Sequence, residues 1–356
     1  MKGSGKTILV TGGAGYIATH CIVKLLDQDY DIVALDNFSN SVRGPPGELP
    51  PSLSRIQEMT GKTITFYEVD LCDKSSLRNA MGKHLFDCII HFGAFKSVSN
   101  SFVQYLKYYS NNVVGTCNLL EIMNEMKIEK FVYSSSCTVY GVPQFLPLTE
   151  NHPLGTPTSP YGFTKLVTEE MMRGLSIFNK DLGFILLRYF NPVGAHPSGI
   201  IGEDPLGVPG NLMPFIAQVA VGRREKLQIF GQDWPTPDGT CIRDYIHVMD
   251  LAEGHVNAVN KVLESGFSGL KAYNLARGNG ESVLDIVRAF EKASGKRIPY
   301  EIAKRRPGDV AQLFSACDLA KEELDWEAKL TLDDMCRDMW TWQSQNPKGY
   351  LTLKKD

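Results

Sequence analysis

The sequence predicts an α/β protein: a doubly wound parallel sheet with a smaller, mixed α/β C-terminal lobe. Three observations carry this. Short β-branched runs alternate with helical patterns through the first half of the chain. A glycine-rich turn joins the first strand to the first helix. After about Asn191 the texture changes to closely spaced prolines and glycines, with Pro192, Pro197, Pro205, Pro209 and Pro214 in quick succession. Strands that alternate with helices imply right-handed crossovers and parallel pairing.

The elements follow in order. Thr7-Ile8-Leu9-Val10 reads as a strand, Ile17 to Leu26 as a helix and Asp31 to Leu35 as the next strand. Ile64 to Glu68, Cys88 to His91 and Lys130 to Tyr133 are further strands, and Phe184 to Leu187 adds one more. Val113 to Met126 and Thr164 to Leu175 place apolar residues at three- and four-residue spacing, the helical period. Residues 1–190 are expected to form the first domain and 191–356 the smaller lobe. That boundary is soft, because Asp244 to Val259 (about 240–260) and Tyr273 to Leu275 have the pattern to return to the main sheet.

Composition narrows the function classes. The 356 residues suit one large or two ordinary domains at roughly 150 residues each. Hydrophobic residues at 43% against 22% charged supply a core and exclude a disordered or fibrous chain. Lys+Arg 37 against Asp+Glu 40 gives a formal net charge of -3, with no basic block to hold a nucleic acid. The eight cysteines form no C-x-x-C pair, which argues against structural zinc, and several sit in apolar runs that suit reduced thiols. The longest uncharged stretch, between Asp204 and Arg223, is interrupted by Pro205, Pro209, Asn211, Pro214 and Gln218 and does not fit a membrane span. The chain enters its first strand almost at once, with no signal-peptide pattern before it. A reduced, cytoplasmic protein that binds neither nucleic acid nor membrane is expected.

Thr11-Gly12-Gly13-Ala14-Gly15-Tyr16-Ile17-Ala18 lies between the first strand and the first helix. Gly12 and Gly15 have the spacing that brings backbone N–H groups and a helix N-terminus up to a pyrophosphate. Ala18 replaces the third glycine and is small enough for close helix–strand packing. Alone, the turn is weak evidence, and a purely structural tight turn is its plain alternative. Asp36, about 20 residues on at the end of the next strand, adds a carboxylate that can accept from an adenosine ribose and would repel a 2′-phosphate. NAD is therefore expected in preference to NADP. Gly3-Ser4-Gly5-Lys6-Thr7 looks like the end of a phosphate-binding loop, but it lacks the first glycine and runs into a strand rather than a helix.

Tyr161 and Lys165 stand four residues apart at a predicted helix start after Pro160, so both side chains share one face. Ser134-Ser135-Ser136 ends the preceding strand at the carboxyl edge, where open α/β sheets bind ligands. A tyrosine is a poor base at its ordinary pKa near 10, and a lysine ammonium beside a positive nicotinamide ring would favour the phenolate. Lowering it by roughly three units takes about 4 kcal/mol. Ser136 would hydrogen-bond the reacting hydroxyl. The plain alternative is a surface helix turn, since Y-x-x-x-K recurs by chance.

Taken together, Thr11 to Ile17, Ser134-Ser-Ser-Cys-Thr-Val-Tyr-Gly141 and Tyr161-x-x-x-Lys165 resemble the extended short-chain dehydrogenase/reductases, and within them the enzymes that invert C4 of UDP-hexoses. Asp36-Asn-Phe-Ser-Asn40, His91-Phe-Gly-Ala-Phe-Lys96, Leu187-Arg-Tyr-Phe-Asn-Pro192, Asn211-Leu-Met-Pro214, Arg243-Asp-Tyr-Ile-His247 and Arg306-Pro-Gly-Asp309 extend the likeness from about Lys6 to Gly349.

The resemblance implies a Rossmann NAD domain and interconversion of UDP-glucose and UDP-galactose through a 4-keto sugar, as part of galactose metabolism. Ser136 and Tyr161 would be the acid/base pair and Lys165 the residue that binds the nicotinamide ribose and tunes Tyr161. Gly12, Gly15, Tyr16, Ile17, Asp36, Asn37, Asn40, Asp70, Leu71, Phe92 and Lys96 would line the NAD site, with Tyr189 near the nicotinamide. Thr138, Asn191, Asn211, Leu212, Gln228, Phe230, Arg243, Arg306 and Asp309 would meet the UDP-sugar, the arginines because a diphosphate needs cationic partners. Val113 to Met126 and Thr164 to Leu175 resemble the helices that pair across the family's homodimer; as plain elements they would simply cover the sheet.

Departures from the family pattern bear on the activity. Dehydratase and decarboxylase relatives resemble this chain but carry acidic residues just after the strand-end serine or threonine. Cys137 and Thr138 stand there instead, which favours epimerisation. A non-catalytic NAD-binding sensor would lack the Tyr161/Lys165 pair. Cys137 replaces a frequent Ala, with a packed side chain the favoured role over an oxidisable thiol. Gly210 replaces a frequent Asn and removes one implied uridine-side contact. Leu313 matches the position of a size gate that Tyr closes and Cys opens to N-acetylated sugars. Its intermediate bulk suggests partial use of UDP-N-acetylglucosamine and UDP-N-acetylgalactosamine.

Overall fold

The computed structural model describes residues 3–306 and 308–351. The strands are β1 Thr7–Thr11, β2 Asp31–Asp36, β3 Thr65–Glu68, β4 Cys88–His91, β5 Lys130–Ser136, β6 Gly183–Tyr189, β7 Asn191–Val193, β8 Leu227–Phe230, β9 Ile242–His247, β10 Gly269–Leu275, β11 Gly280–Ser282, β12 Tyr300–Ala303 and β13 Gln312–Leu313. Seven of them form one sheet in the order β10-β6-β5-β4-β1-β2-β3, with every neighbouring pair parallel. The expected doubly wound parallel sheet is therefore present, and Tyr273 to Leu275 does return to it, as the end of edge strand β10.

Alternation along each strand builds two cores. Ile8, Val10, Ile32, Ala34 and Ile90 face one layer, where helix Tyr16–Asp27 packs with helix Val248–Val262. Leu9, Val33, Leu35 and Ile89 face the other, with Leu119, Ile122 and Met123 of helix Gly115–Glu125 and Met172 of helix Pro160–Phe178. Burial on both faces is why these strands read as near-continuous apolar runs. A third core, around Met213, Ile216, Phe290, Met339 and Trp342, joins helices Leu212–Ala220, Val283–Ser294 and Leu332–Gln345. Beside it lie a small sheet, in which β9 pairs with β7, β11 and β13, and the β8–β12 pair.

Several boundaries move. The strand expected over Lys130 to Tyr133 runs on to Ser136, so the serines end it as expected while still pairing with Leu187, Arg188 and Tyr189 of β6. The helix patterned over Thr164 to Leu175 spans Pro160–Phe178, consistent with the helix start expected around Tyr161: Ser159 caps it by accepting from the Gly162 N–H at 3.2 Å, and proline suits the first turn, where no N–H is needed. The helix expected from Val113 enters through a π-helical stretch, Tyr109–Val114. Asp244 to Val259 divides. Its strand, β9, belongs to the small sheet, and only the following helix returns to cover the main one.

Candidate active site

Strands β1 and β4 are neighbours at the centre of the sheet, and the strand order reverses between them. Crossovers leave that point in opposite directions and open a crevice beyond the carboxyl ends of the strands. A cavity of about 940 Å³ occupies it and continues between the sheet and the smaller lobe. Gly12, Gly15, Tyr16, Ile17, Asp36, Asn37, Asn40, Leu71, Phe92, Lys96, Tyr161, Lys165 and Tyr189 all line it. So do Ser136, Thr138, Asn191, Asn211, Leu212, Gln228, Phe230, Arg243, Arg306 and Asp309.

The glycine turn is shaped for close approach. Gly12 has φ +67°, and a Cβ there would stand 2.9 Å from the Gly93 nitrogen. Gly15 is the N-cap of helix Tyr16–Asp27, and no side chain caps that end. Helices Pro160–Phe178 and Val283–Ser294 both have a serine cap. The free N–H groups and the positive end of the helix dipole suit an anion.

Asp36 ends β2 beside this turn. Its Oδ1 accepts from the Phe38 N–H and the Ser41 hydroxyl, each at 2.8 Å, and its Oδ2 accepts from the Ala14 N–H at 3.1 Å. Burial raises its pKa while these donors pull it back. A carboxylate that already holds three donors is fixed in orientation, and carboxylate oxygens retain acceptor capacity for ribose hydroxyls. These residues fit an NAD-type dinucleotide.

Next to the crevice, Ser136 Oγ accepts from the Thr138 N–H at 3.2 Å and the Thr138 hydroxyl at 3.0 Å. Tyr161 lines the same cavity; burial pushes its phenol up, and the neighbouring Ser136 hydroxyl is the main opposing effect. The Lys165 ammonium donates to the Ser134 carbonyl at 2.5 Å and lies 4.6 Å from the Tyr133 ring centre. Burial lowers it to about 7, against the opposing charge of Glu169. The direction at Tyr161 differs from the sequence expectation of a lowered phenol. Desolvation exceeds what this chain's own groups give the phenolate.

In the smaller lobe, β9 carries Arg243 towards the cavity. Arg243 and Arg306 both pair with Asp309, at 3.5 and 3.0 Å. Arg306 also lies 4.7 Å from the Phe230 ring centre. One carboxylate between two guanidiniums leaves a net positive charge on this side of the cavity. Asn191 donates to the Asp244 carbonyl at 3.0 Å, and Gln228 donates to Glu301 at 3.2 Å. Pro307, within the Arg306–Asp309 motif, lies outside the described residues.

Two expected residues are not on the cavity wall. Asp70 is exposed and accepts from Asn37 Nδ2 at 3.0 Å, so it orients a wall residue. Leu313, on β13, is buried in a cluster with Cys137, Phe190 and Ala276, behind the wall. Cys137 does line the cavity, and burial pushes its thiol up to about 12, as a packed neutral side chain requires. Gly210 also lines it, and a Cβ there would meet only Ser97 Oγ, at 3.5 Å. Sequence reasoning missed Glu203 and Ser134. Glu203 pairs with Lys96 at 2.7 Å, and Ser134 makes a very short hydroxyl–hydroxyl bond to Tyr189. Glu203 sits in a proline- and glycine-rich loop with no periodicity to mark it. Ser134 was visible, but Ser136 was the serine expected to act.

Comparison with known proteins agrees with this geometry. Residues 9–339 match a family model described as GDP-mannose 4,6 dehydratase. UDP-glucose 4-epimerase of Bacillus subtilis (strain 168) is 54% identical over 98% of this chain and 99% of its own length. The Drosophila melanogaster enzyme of the same name is 53% identical over 97% and 98%. The crystal structure of UDP-glucose 4-epimerase from Bifidobacterium longum in complex with NAD+ and UDP superimposes with a TM-score of 0.92 at 44% identity, covering 97% of this chain and 100% of that one. With fold, crevice and near full-length identity in agreement, the chain belongs to the UDP-glucose 4-epimerase family of the extended short-chain dehydrogenase/reductases.

Proposed function

We propose that this chain interconverts UDP-glucose and UDP-galactose by inverting C4, with NAD as a resident cofactor. The observation that carries the reading is that Tyr161, Ser136 and Lys165 share one cavity with an uncapped helix N-terminus and the Arg243–Asp309–Arg306 set. NAD, when bound, supplies the acceptor and later the donor of the C4 hydride. Tyr161 takes the 4-OH proton and gives it back, while Ser136 holds that hydroxyl. Lys165, anchored on Ser134, sets the position of the tyrosine's helix turn. A 4-keto sugar that turns over between the two half-reactions leaves as the C4 epimer. Cys137 and Thr138 offer no carboxylate for the elimination that a dehydratase performs.

The finer features of the reading have separate supports. The NAD side comprises residues 1–190 with the later segments that return to it, and the UDP-sugar side comprises most of 191–356. Exposed Val114, Phe163, Leu175, Ile177 and Phe178 on the segments 109–125 and 160–178 suit a homodimer interface. The eight free cysteines suit a reducing, cytoplasmic setting, and among the described residues no helix is long and apolar enough to cross a membrane. Partial activity on N-acetylated UDP-hexoses rests on the family likeness at Leu313 alone, whose buried side chain would act only through the wall residues Cys137 and Phe190 packed with it, and parallel assays of both substrate pairs test it. Undetectable N-acetylhexosamine epimerisation overturns that extension.

The reading as a whole is tested by incubating the purified protein with UDP-galactose and no added cofactor. UDP-glucose should form, because NAD is retained. Activity only after NAD is supplied would overturn the resident-cofactor part, and net accumulation of a 4-keto sugar would indicate a dehydratase.

A further inference from the structure

Glu203 is a buried carboxylate with one oxygen engaged. Its side chain is 3% exposed, and its Oε1 accepts from the Lys96 ammonium at 2.7 Å. Its Oε2 is buried without a hydrogen-bond partner among the described residues. A buried carboxylate oxygen left without a donor is costly, and native folds rarely keep one unless something supplies the donor. Glu203 lines the same cavity as Tyr16, Lys96 and Tyr161, so a ligand there can supply it.

The residue is also held in place. Trp342 Nε1 donates to the Glu203 carbonyl at 3.2 Å, and the Tyr350 N–H donates to Asp204 at 2.8 Å. Gly202 has no room for a side chain, since a Cβ would fall 2.4 Å from the Trp342 ring. The loop is thus fixed against the smaller lobe, while Lys96 follows β4 of the main sheet. The ion pair bridges the crevice.

We infer that Glu203 is a further ligand-contacting residue: Oε1 keeps Lys96 in place across the crevice, and Oε2 accepts a hydroxyl of the bound nucleotide ligand. This rests on the epimerase reading. Two ligands carry such hydroxyls, the dinucleotide through its riboses and the sugar nucleotide through its uridine ribose and its hexose.

The test is a double-mutant cycle between Glu203→Gln and Lys96→Met. Glu203→Gln keeps the volume but removes the charge and turns one oxygen into a donor. NAD content and affinity are read by release and retitration, UDP-galactose by KM, and folding by Tm. Glu203→Gln should weaken one ligand by about tenfold or more, in the wild-type and in the Lys96→Met background alike. Lost NAD with unchanged KM assigns the contact to the dinucleotide; raised KM with retained NAD assigns it to the sugar nucleotide. An effect that vanishes in the Lys96→Met background, or a lower Tm with both affinities unchanged, overturns the contact. Wild-type protein that binds neither ligand would overturn the epimerase reading itself, and this assignment with it.

Discussion

The Lys165 ammonium donates to the carbonyl oxygen of Ser134 at 2.5 Å, two residues before Ser136 on the same strand. This bond ties helix Pro160–Phe178 to the carboxyl end of β5. Tyr161 lies one turn earlier on that helix, so the tie sets where its phenol enters the cavity that Ser136 also lines.

Tyr161→Phe keeps the ring and loses the proton acceptor. General acid–base catalysis contributes about 10²–10⁴-fold, so kcat should fall within that range while UDP binding stays near wild type. Full turnover of UDP-galactose by the variant would remove Tyr161 from the mechanism. In the wild type, kcat/KM should rise with pH as the phenol ionises.

Lys165 also makes a stability prediction. Burial lowers its ammonium to about 7, below its ordinary value of 10.5. Between those values the unfolded chain binds the extra proton, so this group's contribution to stability rises with pH across that window. Lys165→Met abolishes the dependence. In nucleotide-free protein, the stability of the variant relative to wild type should be roughly 2–3 kcal/mol more favourable at pH 6.5 than at pH 9. Urea midpoints at the two pH values measure it, and identical differences at both would contradict the burial effect.

Gly12→Ala forces φ +67° on an L-residue and places a Cβ 2.9 Å from the Gly93 nitrogen. The left-handed conformation alone costs about 1–2 kcal/mol. The backbone shift needed to relieve the contact would also spoil the anion cradle. The protein should purify with little nucleotide and a reduced Tm; full NAD content at wild-type Tm would refute the close-approach role.

Glu169 is fully buried and pairs with Arg188 at 2.6 Å behind the serine strand, where Ser135 also donates to it. Glu169→Ala leaves a buried guanidinium uncompensated. The expected loss is about 3–5 kcal/mol in urea unfolding. It also removes the charge that opposes burial at Lys165, so a surviving variant should lose activity at lower pH than wild type.

Arg243→Ala should raise KM for UDP-galactose about tenfold or more and leave NAD content unchanged, because the arginine lies with Asp309 and Arg306 on the smaller-lobe side of the cavity, away from the glycine turn. Loss of NAD instead would place Arg243 on the wrong ligand.

Local grammar made much of the site legible. Gly12, Gly15, Asp36, Tyr161 and Lys165 are marked by spacing relative to a strand end or helix start, which a linear pattern retains. Arg243, Arg306 and Asp309 were visible only through family likeness, because their meeting depends on β9 and a distant loop coming together. Asp70 and Leu313 were expected on the wall, but they stand behind residues that form it. Whether a side chain faces a cavity or backs the residue that does is decided by packing, and sequence distance does not encode it.

By itself the sequence determined the parallel sheet, its glycine turn and the tyrosine–lysine face, since each follows from periods of two or 3.6 residues and from backbone rules. Only the tertiary structure decided the pairing of Glu203 with Lys96, 107 residues apart, and the balance of charge at Tyr161 and Lys165. Both depend on which groups are taken out of water together, and desolvation is a property of the assembled interior.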